Sequence, residues 1–145
     1  MTSLMRYWDT SAILPLIVDE PTREKQLELY EEDPQIVAWW ATPVEIASAI
    51  ARRVREGTIA AADADAGLKA AKRLAAAWHE VIPGDAIRRT AERLLRVHVL
   101  RAADGLQLSA ALIAANHDPT TLDMVCLDSR LAAAARLEGF NVIDS

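Results

Sequence analysis

The chain has 145 residues, of which 52% are hydrophobic, 5 are glycine and 6 are proline. This length suits one sizeable core, and we expect residues 1–145 to form a single domain. The single cysteine excludes an internal disulfide framework and a multi-cysteine zinc site, which suits the reducing cytoplasm. No apolar run reaches membrane-spanning length, and the start of the chain lacks the apolar stretch of a signal peptide. We therefore expect a soluble, cytoplasmic protein.

The net charge of −5 is unevenly distributed along the chain. Residues 46–103 hold 11 lysines and arginines against 6 acidic residues, whereas the remainder is strongly acidic. A nucleic acid responds to the local field, so an acidic chain can still present a basic face to it. Ordinary solvation of these side chains is the alternative. The expected basic face carries some of Arg52, Arg53, Arg55, Lys69, Lys72 and Arg73.

Short apolar runs rich in β-branched or aromatic residues predict five strands. They cover residues 4–8, 35–40, 79–83, 124–127 and 140–143. Longer segments with helical spacing separate them, including an acidic helix within 20–34. Strands that alternate with helices predict an α/β fold, in which helices cover both faces of a mainly parallel sheet.

The ends of several helices can also be predicted. Gly57 and Gly139 lie where a helix would end in a left-handed residue, and Asp85 is placed to cap the helix that follows it. Thr58 is expected to open the next helical segment. Pro15 permits a helix over 11–18 only if it falls in the first turn or introduces a kink.

Four carboxylates lie near the predicted ends of strands. Asp9 follows the first strand, Glu45 lies just beyond the second, Asp104 opens a later helix, and Asp128 follows the run MVCL. Ligands bind beyond the carboxyl ends of strands in doubly wound sheets, so these acids are expected to converge. Their mutual repulsion, about 4 kcal/mol per close pair, would be relieved by a divalent cation. Oxygen ligands favour Mg²⁺ or Mn²⁺ over zinc, and such ions commonly serve phosphodiester hydrolysis.

Each acid also has a simpler interpretation. Asp9 and Asp104 are suited to cap helices. The segment from Thr42 to Glu45 fits a capping box, with Thr42 at the cap, Pro43 at the first helical position and Glu45 reaching back. Only the joint pattern favours a metal site.

Other chemistries have weaker support. The residues His79, His98 and His117 are 19 residues apart and show no metal-ligand spacing. Cys126 is predicted to be a buried strand residue, and there is no glycine-rich phosphate loop or nucleophile elbow. A receiver-type phosphoacceptor would need a lysine after a late strand, and a haloacid-dehalogenase-type phosphatase would need an aspartate where Ser11 stands.

Four segments, in order, resemble the PIN-domain ribonucleases, in particular the VapC-type toxins of prokaryotic toxin–antitoxin pairs. YWDTSAIL resembles the opening Asp-x-Ser motif of that family, and TPVEIASAI resembles its central glutamate helix. LRAADGLQLSAAL resembles its Leu-Arg-x-x-Asp-Ala-x-His-Leu-Ala segment, and VCLDSRLAAAARLEGFNVI its closing strand, aspartate, helix and strand. The spacings of 36, 59 and 24 residues between the acids fit, and the resemblance covers nearly the whole chain. Gly105 replaces the usual alanine and Gln107 a common histidine, so substrate contacts near Gln107 are expected to differ.

The resemblance implies a PIN-like three-layer α/β/α sandwich with a central, mainly parallel sheet of about five strands. It also implies a metal-dependent endoribonuclease that hydrolyses RNA. The carboxylates that would hold one or two Mg²⁺ or Mn²⁺ ions are Asp9, Glu45, Asp104 and Asp128.

The resemblance assigns further residues and partners. Ser11 would bond Asp9 or a nearby water, unless it is an ordinary hydroxyl at a helix start. Arg130 would touch a phosphate, unless it is simply exposed to solvent. Family members act as homodimers and are silenced by a small antitoxin protein that occludes the metal site. The alternative is a catalytically weak PIN-like module that binds RNA or protein.

Overall fold

The computed structural model describes residues 5–144, which contain a five-stranded, all-parallel sheet with helices on both faces. The five predicted strands are confirmed with shifts of at most two residues at their ends; residue 4 of the first predicted run lies outside the described residues. The strands are β1 (Arg6–Trp8), β2 (Ile36–Trp39), β3 (His79–Val81), β4 (Asp123–Val125) and β5 (Val142–Ile143).

The strand order in the sheet is β3-β2-β1-β4-β5. The chain runs outward from β1 through β2 to β3, and then crosses back to place β4 on the other side of β1. The order therefore reverses between β1 and β4, where Trp8 pairs with Val125. Ligands of open parallel sheets bind beyond the carboxyl ends of the strands at such a reversal. Asp9 lies directly at this point, since its backbone N–H donates to the Val125 carbonyl at 3.0 Å.

Helices cover both faces of the sheet, because both faces are apolar. The helices are α1 (Thr10–Ile17), α2 (Arg23–Glu32), α3 (Thr42–Arg55), α4 (Ala61–Ala77), α5 (Asp85–Val97), α6 (Ala102–Ala114) and α7 (Ser129–Leu137), with a 3₁₀ helix at Pro119–Thr121.

The two faces of the sheet pack against different helices. On one face, Trp8 and Ala38 pack with residues of α1, α3 and α4. On the other, Tyr7 and Met124 pack with residues of α5, α6 and α7. The predicted three-layer α/β/α sandwich is thus confirmed.

The helix α1 carries part of the candidate site and is buried along almost its whole length. The helix predicted over 11–18 is confirmed, although Pro15 lies in its second turn rather than its first. Proline has no backbone N–H to donate within the helix. Because α1 ends two residues after Pro15, this absence interrupts little of the helix. Arg23 donates to the Pro15 carbonyl at 3.0 Å and to the Val18 carbonyl at 3.4 Å, which satisfies acceptors at the end of α1.

Not every predicted helix end is correct. Gly57 and Gly139 have φ of +76° and +107°, so both left-handed positions are confirmed. The Asp85 cap is wrong, because Gly84 occupies the cap position, no side chain caps the helix, and Asp85 is already its first residue.

Thr58 does not open α4. Its backbone N–H and its hydroxyl both donate to the Arg53 carbonyl, at 2.9 and 3.2 Å, so it closes α3 instead. The helix α4 begins at Ala61. Among the helices described in residues 5–144, none is long and apolar enough to cross a membrane.

The contact between α4 and α1 generates a prediction for Gly67. A Cβ at this position would lie 3.0 Å from Val18 Cγ1 and 3.2 Å from the Ile17 carbonyl oxygen, both at the buried end of α1. Overpacking of about 1–3 kcal/mol should outweigh a gain in helix propensity of about 1 kcal/mol. We expect Gly67→Ala to lower the free energy of unfolding by about 1 kcal/mol in urea titrations.

The matched control is Gly84→Ala. Nothing lies within 4 Å of a Cβ at this position, and its φ of −177° is open to any residue. Only the weaker preference for alanine at a helix cap applies here, so the free energy of unfolding should fall by about 0.5 kcal/mol, less than for Gly67→Ala. Equal stability of the two variants would contradict the close approach of α4 to α1.

Candidate active site

An open cavity of about 880 Å³ lies beyond the carboxyl ends of β1 and β4. The structure brings all six predicted site residues to it, although they are up to 121 positions apart in the sequence. Their chemical roles stay predictions. The predicted residues that line the cavity are Asp9, Ser11, Glu45, Asp104, Asp128 and Arg130.

Asp9 is both a helix cap and a cavity residue. Its Oδ2 accepts hydrogen bonds from the Ser11 backbone N–H at 3.1 Å and from Ser11 Oγ at 2.6 Å. Ser11 Oγ in turn accepts from the Leu127 backbone N–H at 2.9 Å. The Ser11 hydroxyl therefore joins Asp9 to the loop after β4, and the predicted bond between Ser11 and Asp9 is confirmed.

Glu45 does not belong to a capping box, so this interpretation of the sequence is wrong. The cap position of α3 is Ala41, Thr42 is already helical, and no side chain caps the helix. The Thr42 hydroxyl is buried and accepts from Gln107 Nε2 at 3.1 Å. Glu45 Oε1 accepts instead from Thr10 Oγ1 at 2.9 Å and from Gln107 Nε2 at 3.2 Å.

The other two acids also lie at the starts of helices. The helix α6 begins at Ala102, so Asp104 lies within its first turn and is not the cap that the sequence suggested. Arg101 occupies the cap position, and its backbone lowers the pKa of the Asp104 carboxyl. Asp128 caps α7 by accepting from the Leu131 N–H at 3.1 Å. Each acid thus lies at a helix N-terminus, whose partial positive charge favours a carboxylate.

Burial and mutual repulsion shift the acids towards their protonated forms. Burial raises the pKa of Asp9 against the hydrogen bonds from Ser11, and the Asp104 charge raises it further. Burial raises the pKa of Glu45 to about 7; hydrogen bonds from Thr10 and Gln107 oppose this shift, and the charges of Asp9 and Asp104 add to it. In both acids, burial outweighs the hydrogen bonds that favour the charged form, and the neighbouring acids add to its effect.

At the rim of the cavity, opposing effects also act on the pKa of Asp104. Burial and the charge of Asp128 raise its pKa, against the Arg101 backbone and the charges of Arg101 and Arg130. The rim also holds Arg52, and all three arginines are exposed.

The rim agrees only in part with the predicted basic face. Of the six basic residues considered for that face, Arg52 lines the cavity, whereas Arg53 forms an ion pair with Glu20. Arg101 was not selected from the sequence as a binding residue, although it stands just before the α6 acid. Arg130 was selected and does line the cavity.

Buried polar residues beneath the acids were missed by reasoning from the sequence. Gln107 is fully buried, so it does not itself face a substrate. It contacts the hydroxyls of Tyr7, Thr10 and Thr42 as well as Glu45. The signal available in the sequence was the position of Gln107 three residues after Asp104, which places both on one side of α6.

The donors around the cavity fit a hard divalent cation. Within residues 5–144, no three His, Cys, Asp or Glu side chains form a ready-made ligand group, so the carboxylates surround an open space. The donors are all oxygens, and three of the four acids have pKa values raised in part by a neighbouring acid. This combination fits Mg²⁺ or Mn²⁺ rather than zinc.

The remaining candidate ligands lie elsewhere or are inert. His98 Nε2 lies 2.6 Å from Glu138 Oε2, while His79 and His117 are exposed outside the cavity lining. Cys126 is fully buried, as predicted, and burial raises the pKa of its thiol. A buried thiol of this kind is a poor nucleophile and a poor ligand.

The raised pKa of Glu45 predicts a pH-dependent effect of Glu45→Gln on the metal-free protein. The folded carboxyl has a pKa of about 7, against an ordinary value of 4.5, so it binds its proton more tightly than in the unfolded chain. Its stabilising contribution is complete below the unfolded pKa and is lost as the pH rises through the folded value. Glutamine keeps the shape and the acceptor oxygen but cannot ionise. We expect the free energy of unfolding of the variant to increase relative to wild type between about pH 5 and about pH 8.

Urea unfolding in a chelator at the two pH values measures this difference. Glu92→Gln, at an exposed position of α5 outside the cavity, is the matched control. A difference between Glu45→Gln and wild type that is the same at both pH values would contradict the buried, crowded carboxylate.

Comparison with known proteins finds a similar fold among solved structures. No protein family and no curated protein matches the sequence of this chain. Among solved structures, the chain is similar to a chain of a toxin–antitoxin complex from Klebsiella pneumoniae. The TM-score is 0.64 at 14% sequence identity, and the similarity covers 95% of each chain. At this identity the similarity shows a shared fold, and it extends over nearly the whole α/β/α architecture.

Proposed function

We propose that this protein is a metal-dependent endoribonuclease of the PIN type, which hydrolyses RNA phosphodiester bonds as the toxin of a toxin–antitoxin pair. The observation that carries the proposal is the convergence of four carboxylates, each at the start of a helix, around one open cavity at the reversal of strand order. The similar fold of a chain from a toxin–antitoxin complex supports the toxin role.

The four carboxylates would hold one or two Mg²⁺ or Mn²⁺ ions. When bound, such an ion activates a water for attack on a phosphate and neutralises charge on the phosphodiester. The chain itself holds the acids in place before a substrate arrives, through Ser11 on Asp9 and through Thr10 and Gln107 on Glu45. Groups that are already oriented avoid the cost of rearrangement during reaction.

The rim arginines would bind the RNA backbone. Arg52, Arg101 and Arg130 lie exposed around the acids, so phosphates on either side of the cleaved bond would meet positive charge. A guanidinium matches a phosphate with two parallel hydrogen bonds. This local field would operate despite the net charge of −5.

Protein partners belong to the same proposal. A small antitoxin would cover the cavity, and a second copy of the chain would form a homodimer. Apolar surface for such contacts exists, because Trp40, Ile82 and Val99 have exposed fractions of 53%, 69% and 87%. Exposed apolar side chains of this size are frequent in protein interfaces.

A catalytically weak module that binds RNA or protein is the alternative. One observation favours it, namely that the acids do not form a ready-made ligand group within residues 5–144. The retention of all four acids favours the nuclease.

The nuclease proposal predicts the outcome of Asp9→Asn. Asparagine is as good a helix cap as aspartate, so the fold should persist, but the negative charge is lost. With Mg²⁺ or Mn²⁺ present, we expect wild type to cleave a structured RNA and the variant to be slower by orders of magnitude. Gel analysis of cleavage, together with the melting temperature, separates lost chemistry from lost folding.

Asp118→Asn is the matched control. Asp118 also caps a helix with its side chain, but it is exposed and lies outside the cavity lining. Its substitution should leave cleavage unchanged. RNA binding by wild type without any metal-dependent cleavage would favour the binding module.

The rim arginines generate a second prediction from this proposal. Combined substitution of Arg52, Arg101 and Arg130 by alanine should weaken RNA binding. It should also reduce the slope of log affinity against log salt by about 2, since each lost phosphate contact on a single strand removes about 0.7. Filter binding at several salt concentrations measures both quantities.

The control for this test comes from α4. Combined substitution of Lys69, Lys72 and Arg73 by alanine removes the same charge from positions outside the cavity lining. It should change the salt slope less. A larger effect from the α4 set would place the RNA across α4 instead of the rim.

A further inference from the structure

We infer that Gln107 is a positioning residue, which orients the carboxylate of Glu45 for a divalent cation through a buried network of neutral hydrogen bonds. This inference rests on the proposed function, because it assumes that the cavity acids hold a cation. It adds a residue that touches neither the cavity nor a substrate.

The amide of Gln107 is held in one orientation by Tyr7. Tyr7 Oη donates to Gln107 Oε1 at 2.5 Å, and both residues are fully buried. A tyrosine hydroxyl carries its proton at neutral pH, so it acts as the donor and the amide oxygen accepts. The carbonyl end of the amide therefore faces Tyr7, and the NH₂ end faces the opposite direction.

The NH₂ end faces the hydrogen-bond acceptors beneath the cavity. Gln107 Nε2 lies 3.1 Å from Thr10 Oγ1, 3.1 Å from Thr42 Oγ1 and 3.2 Å from Glu45 Oε1. Thr10 Oγ1 itself donates to Glu45 Oε1 at 2.9 Å. Both donors act on the same oxygen of Glu45, so Oε2 lies outside this network.

Neutral donors orient a carboxylate without neutralising it. No ion pair to Glu45 is formed in the part of the chain that the structure describes. An arginine or lysine in place of Gln107 would orient the carboxylate equally well but would cancel the charge that a cation needs. Partners that orient a metal ligand typically change metal affinity by about 10- to 100-fold when they are removed.

A purely structural role for Gln107 would have a different signature. The network joins β1, α1, α3 and α6, so its loss would also lower stability. A structural role would affect the affinity for a cation only through the general integrity of the fold. If Gln107 acts through Glu45, the effect of Gln107 on cation affinity must disappear when Glu45 itself is substituted.

The test measures Mn²⁺ binding by calorimetry on the full chain, without RNA. Gln107→Met keeps the length of the side chain and removes its hydrogen bonds. We expect it to weaken Mn²⁺ binding by about 10- to 100-fold. The matched control is Ser109→Ala on the same helix, since Ser109 is equally buried and its hydroxyl donates to the Ile87 carbonyl at 2.6 Å, away from the acids. This control should bind Mn²⁺ as wild type does.

A double-mutant cycle then separates positioning from folding. In a Glu45→Gln background, Gln107→Met should weaken Mn²⁺ binding further by less than about twofold. Tyr7→Phe removes only one hydroxyl, keeps the amide, and should weaken binding in the same direction by a smaller factor. If Gln107→Met does not fold, the Mn²⁺ affinity of Tyr7→Phe is the deciding measurement.

Two results would overturn the inference while leaving the proposed function intact. One is wild-type Mn²⁺ affinity in a folded Gln107→Met protein, or in Tyr7→Phe if Gln107→Met does not fold. The other is a Gln107→Met substitution that weakens Mn²⁺ binding by the same factor in the Glu45→Gln background as in wild type. Absence of Mn²⁺ binding by wild type would instead overturn the inference and the proposed function together.

Discussion

The repulsion between carboxylates at one edge of the sheet is the constraint on which the rest of the site depends. Three of the four acids have pKa values raised by burial, and in each case a neighbouring acid adds to the shift. The fold tolerates this because the acids stand at the starts of α1, α3, α6 and α7, where helix N-termini supply partial positive charge. Two of the acids, Asp9 and Asp128, therefore cap a helix and belong to the candidate site at the same time.

This shared use explains why the cap and ligand interpretations of the sequence were not true alternatives. Asp9 and Asp128 cap their helices and still line the cavity, whereas Glu45 caps nothing. A capping aspartate uses part of its acceptor capacity on backbone N–H groups and keeps its charge. The topology then gathers these helix starts, because β1 and β4 are neighbours in the sheet although more than a hundred residues separate them.

Much of the fold, and the convergence of four acids on one cavity, could be predicted from the sequence, because both depend on local signals. Short β-branched runs marked the strands, and Asp9 and Asp128 followed two of them. The buried network could not be predicted, since its bonds join residues as far apart as Tyr7 and Gln107, and no periodicity reports such a contact. The basic face stays a prediction, because a count of charges does not say which way the side chains point: Arg52 lines the cavity, whereas Arg53 is ion-paired with Glu20.

The neutral and the charged groups around Glu45 lie in different places. Neutral donors from Thr10 and Gln107 lie on its buried side, while the exposed arginines lie at the rim of the cavity. The carboxylate can therefore be neutralised only by a proton or by a cation that enters from solvent. A scaffold that only binds other molecules gains nothing from an acid kept crowded and unpaired, and replacement by a neutral residue would relieve the repulsion. A crowded, unpaired carboxylate of this kind is the feature that the proposed cation site would use, because a cation that enters from solvent would relieve the repulsion.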